Sequence, residues 1–195
     1  MFNVAVFASG RGSNLRVLFE KISPENIKIC AVISDKKDCG AVEFAEQNSI
    51  PVFFVSSMHK DGFNSYNYVA QELKKMFVDL IVLTGFLKKI PDEFIDEFEK
   101  KIINIHPALL PSYGGKGMYG MNVHRAVFNA KEKFSGATVH IVDKIYDNGE
   151  IIAQRSVEIS KLTSPEEIAV EVLKIEHELL PEVVLNFSKS SIKIN

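Results

Sequence analysis

The sequence predicts an α/β fold: a mostly parallel sheet with helices on both faces, extended by a C-terminal antiparallel hairpin and a long final helix. Three observations predict it. Short apolar runs alternate with stretches of helical period through the first half of the chain, the pattern of strands joined by crossover helices. Those runs are apolar almost throughout, as strands covered on both faces must be. Near the C-terminal end, Asp147-Asn148-Gly149 separates two strand-like stretches, a hairpin signal.

Taken in order, residues 3–8 (Asn-Val-Ala-Val-Phe-Ala) end in a Gly/Ser turn and read as a buried strand. Over 13–22, Leu15, Leu18, Phe19 and Ile22 recur at i, i+3, i+4 and i+7, one face of a helix capped by Ser13 or Asn14. A strand over 27–34 closes at Asp35-Lys36-Lys37-Asp38, and a helix near 39–48 and a short strand over 52–55 follow. A helix is expected over 63–77, with Tyr68, Leu73 and Phe77 among its apolar positions. The run at 78–83 reads as a central strand. Pro91 opens the next helix, with Asp92 and Glu93 where the helix dipole favours anions. A further strand covers 102–105.

The pattern then changes. Residues 107–121 carry two prolines, four glycines and two methionines. This is long against the usual loop of about 4–6 residues, and long loops are often functional. A helix near 122–131 leads into strand-like stretches at 136–142 and 150–159. Thr163-Ser164-Pro165-Glu166-Glu167 caps the last helix, expected over about 164–187. The tail 188–195 is expected to fray or to add an edge strand.

A chain of 195 residues that is 46% hydrophobic and 25% charged suits one soluble domain with a core of its own. Formal net charge is −2, from 23 Lys+Arg against 25 Asp+Glu, which argues against broad nucleic-acid or membrane-surface binding. Cys30 and Cys39 are too few for a disulfide scaffold and lack metal-ligand spacing. No apolar run reaches the ~18–20 residues of a membrane span, and the start MFNVAVFASG has no basic n-region. The expectation is a cytoplasmic protein.

Three constellations could carry chemistry. Ser9-Gly10-Arg11-Gly12-Ser13-Asn14 joins the first strand to the first helix, where backbone N–H groups converge at a positive helix end. It is not a complete dinucleotide fingerprint, because the third glycine would fall at Leu15, and no Gly-Lys-Ser/Thr follows to make a P-loop. An anion site and a merely tight turn both remain readings of it.

In Ile103-Asn104-Ile105-His106-Pro107, strand alternation puts Asn104 and His106 on one face, their Cα atoms roughly 6.5–7 Å apart. The C-terminal ends of parallel strands are where open sheets bind ligands. Asn offers a neutral donor and His a cationic donor or proton carrier, so both suit an oxyanion; a satisfied strand-end histidine is the bland alternative. Asp147 is ordinary turn chemistry unless it approaches His106, where it would raise the imidazole pKa. Lys88-Lys89 after Gly85-Phe86-Leu87 is either a solvated basic pair or part of a loop lining a flat-ligand pocket. His59, His124, His140 and His177 read as structural or solvated, and no metal-ligand set is visible.

Several stretches, in the same order along nearly the whole chain, resemble the phosphoribosylglycinamide (GAR) formyltransferases, a branch of the folate-dependent formyltransferase superfamily. They are Ala8-Ser9-Gly10-Arg11-Gly12-Ser13-Asn14-Leu15, Gly85-Phe86-Leu87, Ile102 through Pro111, Gly136-Ala137-Thr138-Val139-His140, Asp147-Asn148-Gly149 and Glu176-His177. Asn-Ile-His-Pro with Leu-Leu-Pro carries the superfamily, and Gly-Ser-Asn after the first strand the branch.

The resemblance implies a Rossmann-like sheet in a single catalytic domain over 1–195, with a nucleotide- and phosphate-binding half (1–100) and a catalytic and folate-binding half (101–195). It implies formyl transfer from 10-formyltetrahydrofolate to the amine of GAR in purine biosynthesis, without a metal, by a monomer or homodimer. Gly12, Ser13 and Asn14 would hold the substrate phosphate and Glu176 the ribose hydroxyls. Leu87, Lys88, Lys89 and Ile90, with Asn104, would line the folate pocket. Asn104, protonated His106 and Asp147 match the catalytic trio, and His140 a supporting histidine. Where many members carry a basic folate contact, this sequence has Phe63-Asn64-Ser65-Tyr66, with Lys60 earlier.

Two rivals accompany that reading. Other superfamily members act on sugar nucleotides, methionyl-tRNA or water; the tRNA and hydrolase enzymes carry added domains that a chain of this length is not expected to hold. A non-catalytic nucleotide-binding module is the second, since Asp35 follows the second strand as an NAD-site acid would. The missing third glycine and the Asn104/His106 pair count against it.

Overall fold

The structure, a computed structural model, describes residues 1–22 and 26–192. Seven strands form one sheet: β1 (Phe2–Phe7), β2 (Ile27–Ser34), β3 (Val52–Phe54), β4 (Leu80–Leu83), β5 (Ile102–His106), β6 (Phe134–Ile141) and β7 (Ile151–Glu158). Six helices cover it: α1 (Ser13–Ile22), α2 (Gly40–Gln47), α3 (Tyr66–Lys75), α4 (Asp92–Glu97), α5 (Met121–Asn129) and α6 (Pro165–Ile192). The spatial strand order is β3-β2-β1-β4-β5-β6-β7. Strands β1 to β5 pair in parallel, whereas β5–β6 and β6–β7 pair antiparallel. This is the predicted α/β class with its hairpin and long final helix.

Strand alternation divides the core in two. Val4, Val6, Ala8, Ile103 and Ile105 pack towards α1, α2, α5 and α6. Ala5, Phe7, Ile81 and Ile102 pack on the other face with α3 and α4. Asn104 and His106 share the parity of Ile102 and therefore leave β5 on the α3/α4 side. The chain winds outward from β1 through β2 and β3, then returns to lay β4 on the other side of β1. The strand ends at β1 and β4 thus flank a topological switch point, where α/β sheets form their ligand crevice.

Local chemistry sets the element ends. Ser65 caps α3 by accepting from Tyr68 N at 3.2 Å, so that helix starts at Tyr66 rather than 63. Ser164 accepts from Glu167 N, and the Glu167 carboxylate reaches back to Thr163 N, the expected cap of α6. That helix runs on to Ile192, so residues 188–192 continue it rather than form an edge strand; 193–195 lie outside the described residues. The hairpin differs from a two-residue Asn-Gly turn. Ile141 N bonds Glu150 O, and residues 142–150 bulge out between β6 and β7.

Candidate active site

The turn after β1 is built around Gly12. Its φ is +76°, and a Cβ there would stand 2.9 Å from Ala41 Cα, so the turn is pressed against the start of α2. Arg16 N bonds Gly12 O, so α1 begins at Ser13 with Gly12 in the capping position, not Ser13 or Asn14 as the sequence suggested. The N–H groups of the first helical residues have no intrahelical acceptor, and the first turn holds no acidic side chain. A positive helix end is left open to an anion.

Asn14 does more than face that turn. Its Nδ2 donates to Glu176 Oε2 at 2.6 Å, joining α1 to α6 across 162 residues. Burial pushes the Glu176 carboxyl up, and the Asn14 hydrogen bond only partly offsets this. Asn14 Oδ1 is itself buried without a partner among the described residues. Asn14, assigned by resemblance to the phosphate, and Glu176, assigned to the ribose, are therefore hydrogen-bonded neighbours.

The second cluster stands at the end of β5. Register pairs Asn104 with His140 and His106 with Thr138, so both histidines and Asn104 share a sheet face. His140 Nδ1 donates to Ile141 O at 2.8 Å, which leaves Nε2 to accept from Asn104 Nδ2 at 3.1 Å. The 142–150 bulge brings Asp147 in: Oδ2 lies 3.6 Å from His106 Nδ1 and Oδ1 lies 3.6 Å from His140 Nε2. Gly115 N, from the long loop, donates to Asp147 Oδ2 at 2.9 Å. Burial pushes the Asp147 carboxyl up, but the neighbouring His140, the His106 charge and the Gly115 amide outweigh it and hold it below its ordinary value.

One expectation needs correction. His106 is only 4% exposed, and that burial lowers its pKa by more than Asp147 and the Tyr113 carbonyl raise it. The resting imidazole is thus not held protonated near neutrality. Its surroundings still suit the charged form in one respect: Nε2 meets Tyr113 O at 2.8 Å and Nδ1 faces a carboxylate, so both nitrogens look at acceptors.

Beside the cluster lies a cavity of about 80 Å³. Leu83, Phe86, Ile90 and Ile95 form its apolar side, and Asn104, His140 and Asp147 its polar end. Lys88 and Lys89 also line it, beside Ile90. Leu87 is 49% exposed and is not among the lining residues, whereas Phe86 is buried and lines the cavity. Lys89 Nζ pairs with Asp92 Oδ1 at 2.8 Å. Lys60 Nζ sits over the Phe63 ring at 3.9 Å. Among the described residues, no group of three or more His, Cys, Asp or Glu is placed to hold a metal.

The sequence reading gave no role to several supporting groups. Thr138 Oγ1 donates to Ala108 O at 2.6 Å and accepts from Leu110 N and Gln154 Nε2 at 3.1 and 2.8 Å. This buried node ties the start of the long loop to β6 and β7. Its only sequence signal is a polar residue within β6, a strand that also holds Ser135 and His140. His124 is buried on α5, where burial and then the His106 charge push it down to about 4.

The formyl transferase family profile matches residues 2–184. The chain is 43% identical over 195 residues to a chloroplastic phosphoribosylglycinamide formyltransferase of Arabidopsis thaliana, covering 97% of this chain and 66% of that protein. It is 35% identical to the phosphoribosylglycinamide formyltransferase of Bacillus subtilis, covering 94% of this chain and 93% of that one. The crystal structure of the Anaplasma phagocytophilum enzyme of the same name superposes with a TM-score of 0.86 at 33% identity, covering 97% and 87% of the two chains. Against the plant relatives the chain spans 66%, 59% and 61% of their length.

Proposed function

The chain belongs to the formyl transferase family, in its phosphoribosylglycinamide formyltransferase branch, and on that premise we propose that it formylates the primary amine of GAR in purine biosynthesis. The observation that carries the reading is the Asn104–His140–Asp147–His106 cluster at the end of β5, in a sheet whose first βα turn leads into a helix N-terminus with no acidic side chain in its first turn. Gly12, Ser13 and Asn14 hold the phosphate, chiefly through backbone N–H groups, since the Asn14 amide is engaged by Glu176. Glu176 accepts from the ribose hydroxyls.

The donor is 10-formyltetrahydrofolate, which supplies the formyl group on its N10. The apolar slot of Leu83, Phe86 and Ile90, with a polar end at Asn104 and Asp147, fits a flat heteroaromatic ring. Ligand pockets are typically about 300–1,000 Å³, so the 142–150 segment, with its exposed Ile145 and Tyr146, opens to admit it.

In the transfer, the amine adds to the formyl carbon and negative charge develops on the formyl oxygen. Asn104 Nδ2 has a second N–H free for that oxygen, and His106 Nε2–H turns to it from Tyr113 O. His106 rests largely neutral. The adjacent oxyanion and Asp147 together favour its protonated form as the charge develops. Asp147 also assists, through water, the passage of the amine proton to N10, whose bond to the formyl carbon then breaks. His140 keeps the Asn104 amide turned towards the site. The cytoplasmic expectation is not carried by the comparisons, since the plant relatives are named as chloroplastic proteins.

The test offers GAR, methionyl-tRNA and water as acceptors, with 10-formyltetrahydrofolate as donor. Turnover of GAR is expected; turnover of water or tRNA alone would overturn the reading. Asn104→Ala and His106→Ala should each lose about 10²–10³ in kcat, the usual cost of one oxyanion donor.

A further inference from the structure

We propose that a second cavity, separate from the Asn104 pocket, is a binding site for a small aromatic carboxylate. The cavity has a volume of about 490 Å³, within the range of small-molecule sites, and shares no lining residue with the Asn104 pocket. Leu109 and Val127 supply an apolar wall. Phe134 stands at its edge with 54% of its surface exposed, a free ring face for an aromatic ligand.

The polar groups select the ligand's charge. Ser135 lines the cavity, is only 2% exposed, and its hydroxyl has no hydrogen-bond partner among the described residues. A buried donor left unmade is costly, so this hydroxyl marks where a ligand acceptor belongs. Lys131 and Lys133 flank it, and neither has an acidic partner among the described residues. Glu132, between them, offsets one of the two charges. The surplus is a single positive charge, which suits a monoanion rather than a phosphate dianion.

Tyr113 links this cavity to the catalytic cluster. It lines the cavity, its hydroxyl donates to Glu132 Oε1 at 2.7 Å, and its carbonyl accepts from His106 Nε2 at 2.8 Å. A carboxylate beside Glu132 repels that side chain and loosens its hold on Tyr113. Occupancy of the cavity is therefore sensed at His106, without contact between ligand and imidazole.

Benzoate is the probe, titrated into the intact protein and followed by amide and imidazole NMR, with benzamide as its neutral counterpart. Saturable shifts at Ser135, Lys133 and the His106 ring are expected, with benzamide at least about tenfold weaker. Ser135→Ala, and separately Lys131→Glu with Lys133→Glu, should each weaken benzoate about tenfold. Shifts confined to Ser13 and Asn14, no saturable shift, or unchanged affinity in both variants would overturn the proposal.

Discussion

Asp147 Oδ2 stands 3.6 Å from His106 Nδ1, although no strand pairing joins the two residues. His106 ends β5, and Asp147 comes from the bulge between β6 and β7. The contact exists because β6 lies antiparallel against β5 and turns the bulge back over the β5 terminus. Asp147 is held there by Gly115 N and has a positive φ of 53°.

Asp147→Asn removes a group that raises the His106 imidazole and leaves the burial that lowers it. The His106 pKa should therefore fall further below 6.5 than in the unaltered protein. Proton NMR of the ring reads this directly. An unchanged or higher value would show that Asp147 exerts no field on the imidazole.

His124 couples acid stability to burial. Its folded pKa is about 4 against an ordinary 6.5. As pH falls from 6.5 towards 4, the unfolded chain takes up a proton that the folded chain refuses. Stability that is complete above pH 6.5 is lost progressively over that window. His124→Leu should flatten this part of the profile in urea unfolding, and an unaltered slope would refute the assignment.

Gly12→Ala should destabilise by about 1–3 kcal/mol, because it combines a left-handed backbone with a Cβ driven against the α2 backbone. It should also weaken GAR binding by moving the anion turn. Gly10→Ala is the control, since a Cβ there meets nothing within 4 Å. Equal unfolding midpoints for the two variants would contradict this account.

Glu176 trades stability for binding. Burial raises its carboxyl above 4.5, so as pH rises past that value the unfolded chain ionises more readily than the folded one, and stability falls. Glu176→Gln should melt at a higher temperature near neutral pH. If Glu176 holds the ribose hydroxyls, the same variant raises KM for GAR with little change in kcat. A lower melting temperature would show that the ionised carboxylate stabilises the fold.

Much of this was legible from residue order. The alternation at 102–106 placed Asn104 and His106 on one face, and the structure keeps them there. The glycine turn after the first strand, the capped start of α6 and the antiparallel final strands also follow from local signals. That the Leu87 side chain is exposed while Phe86 turns inward was not legible, because direction in an irregular segment has no period to read. The strand bounds at 142 and 150 marked the right connection and nearly its length, but not its fold, since Asp147 in it is held by Gly115 from a distant loop.

By itself, then, the sequence determined where strands and helices form, which faces are apolar, and which residue types stand at the strand ends. Those follow from backbone geometry and side-chain chemistry within a few residues. Tertiary structure alone decided that Asn14 meets Glu176, that Asp147 lies between two histidines, and that Tyr113 bridges His106 and Glu132. It also decided that His106 rests with its pKa lowered. Each of these depends on how far water is excluded and on which distant segments pack together, and no local period in the chain encodes either.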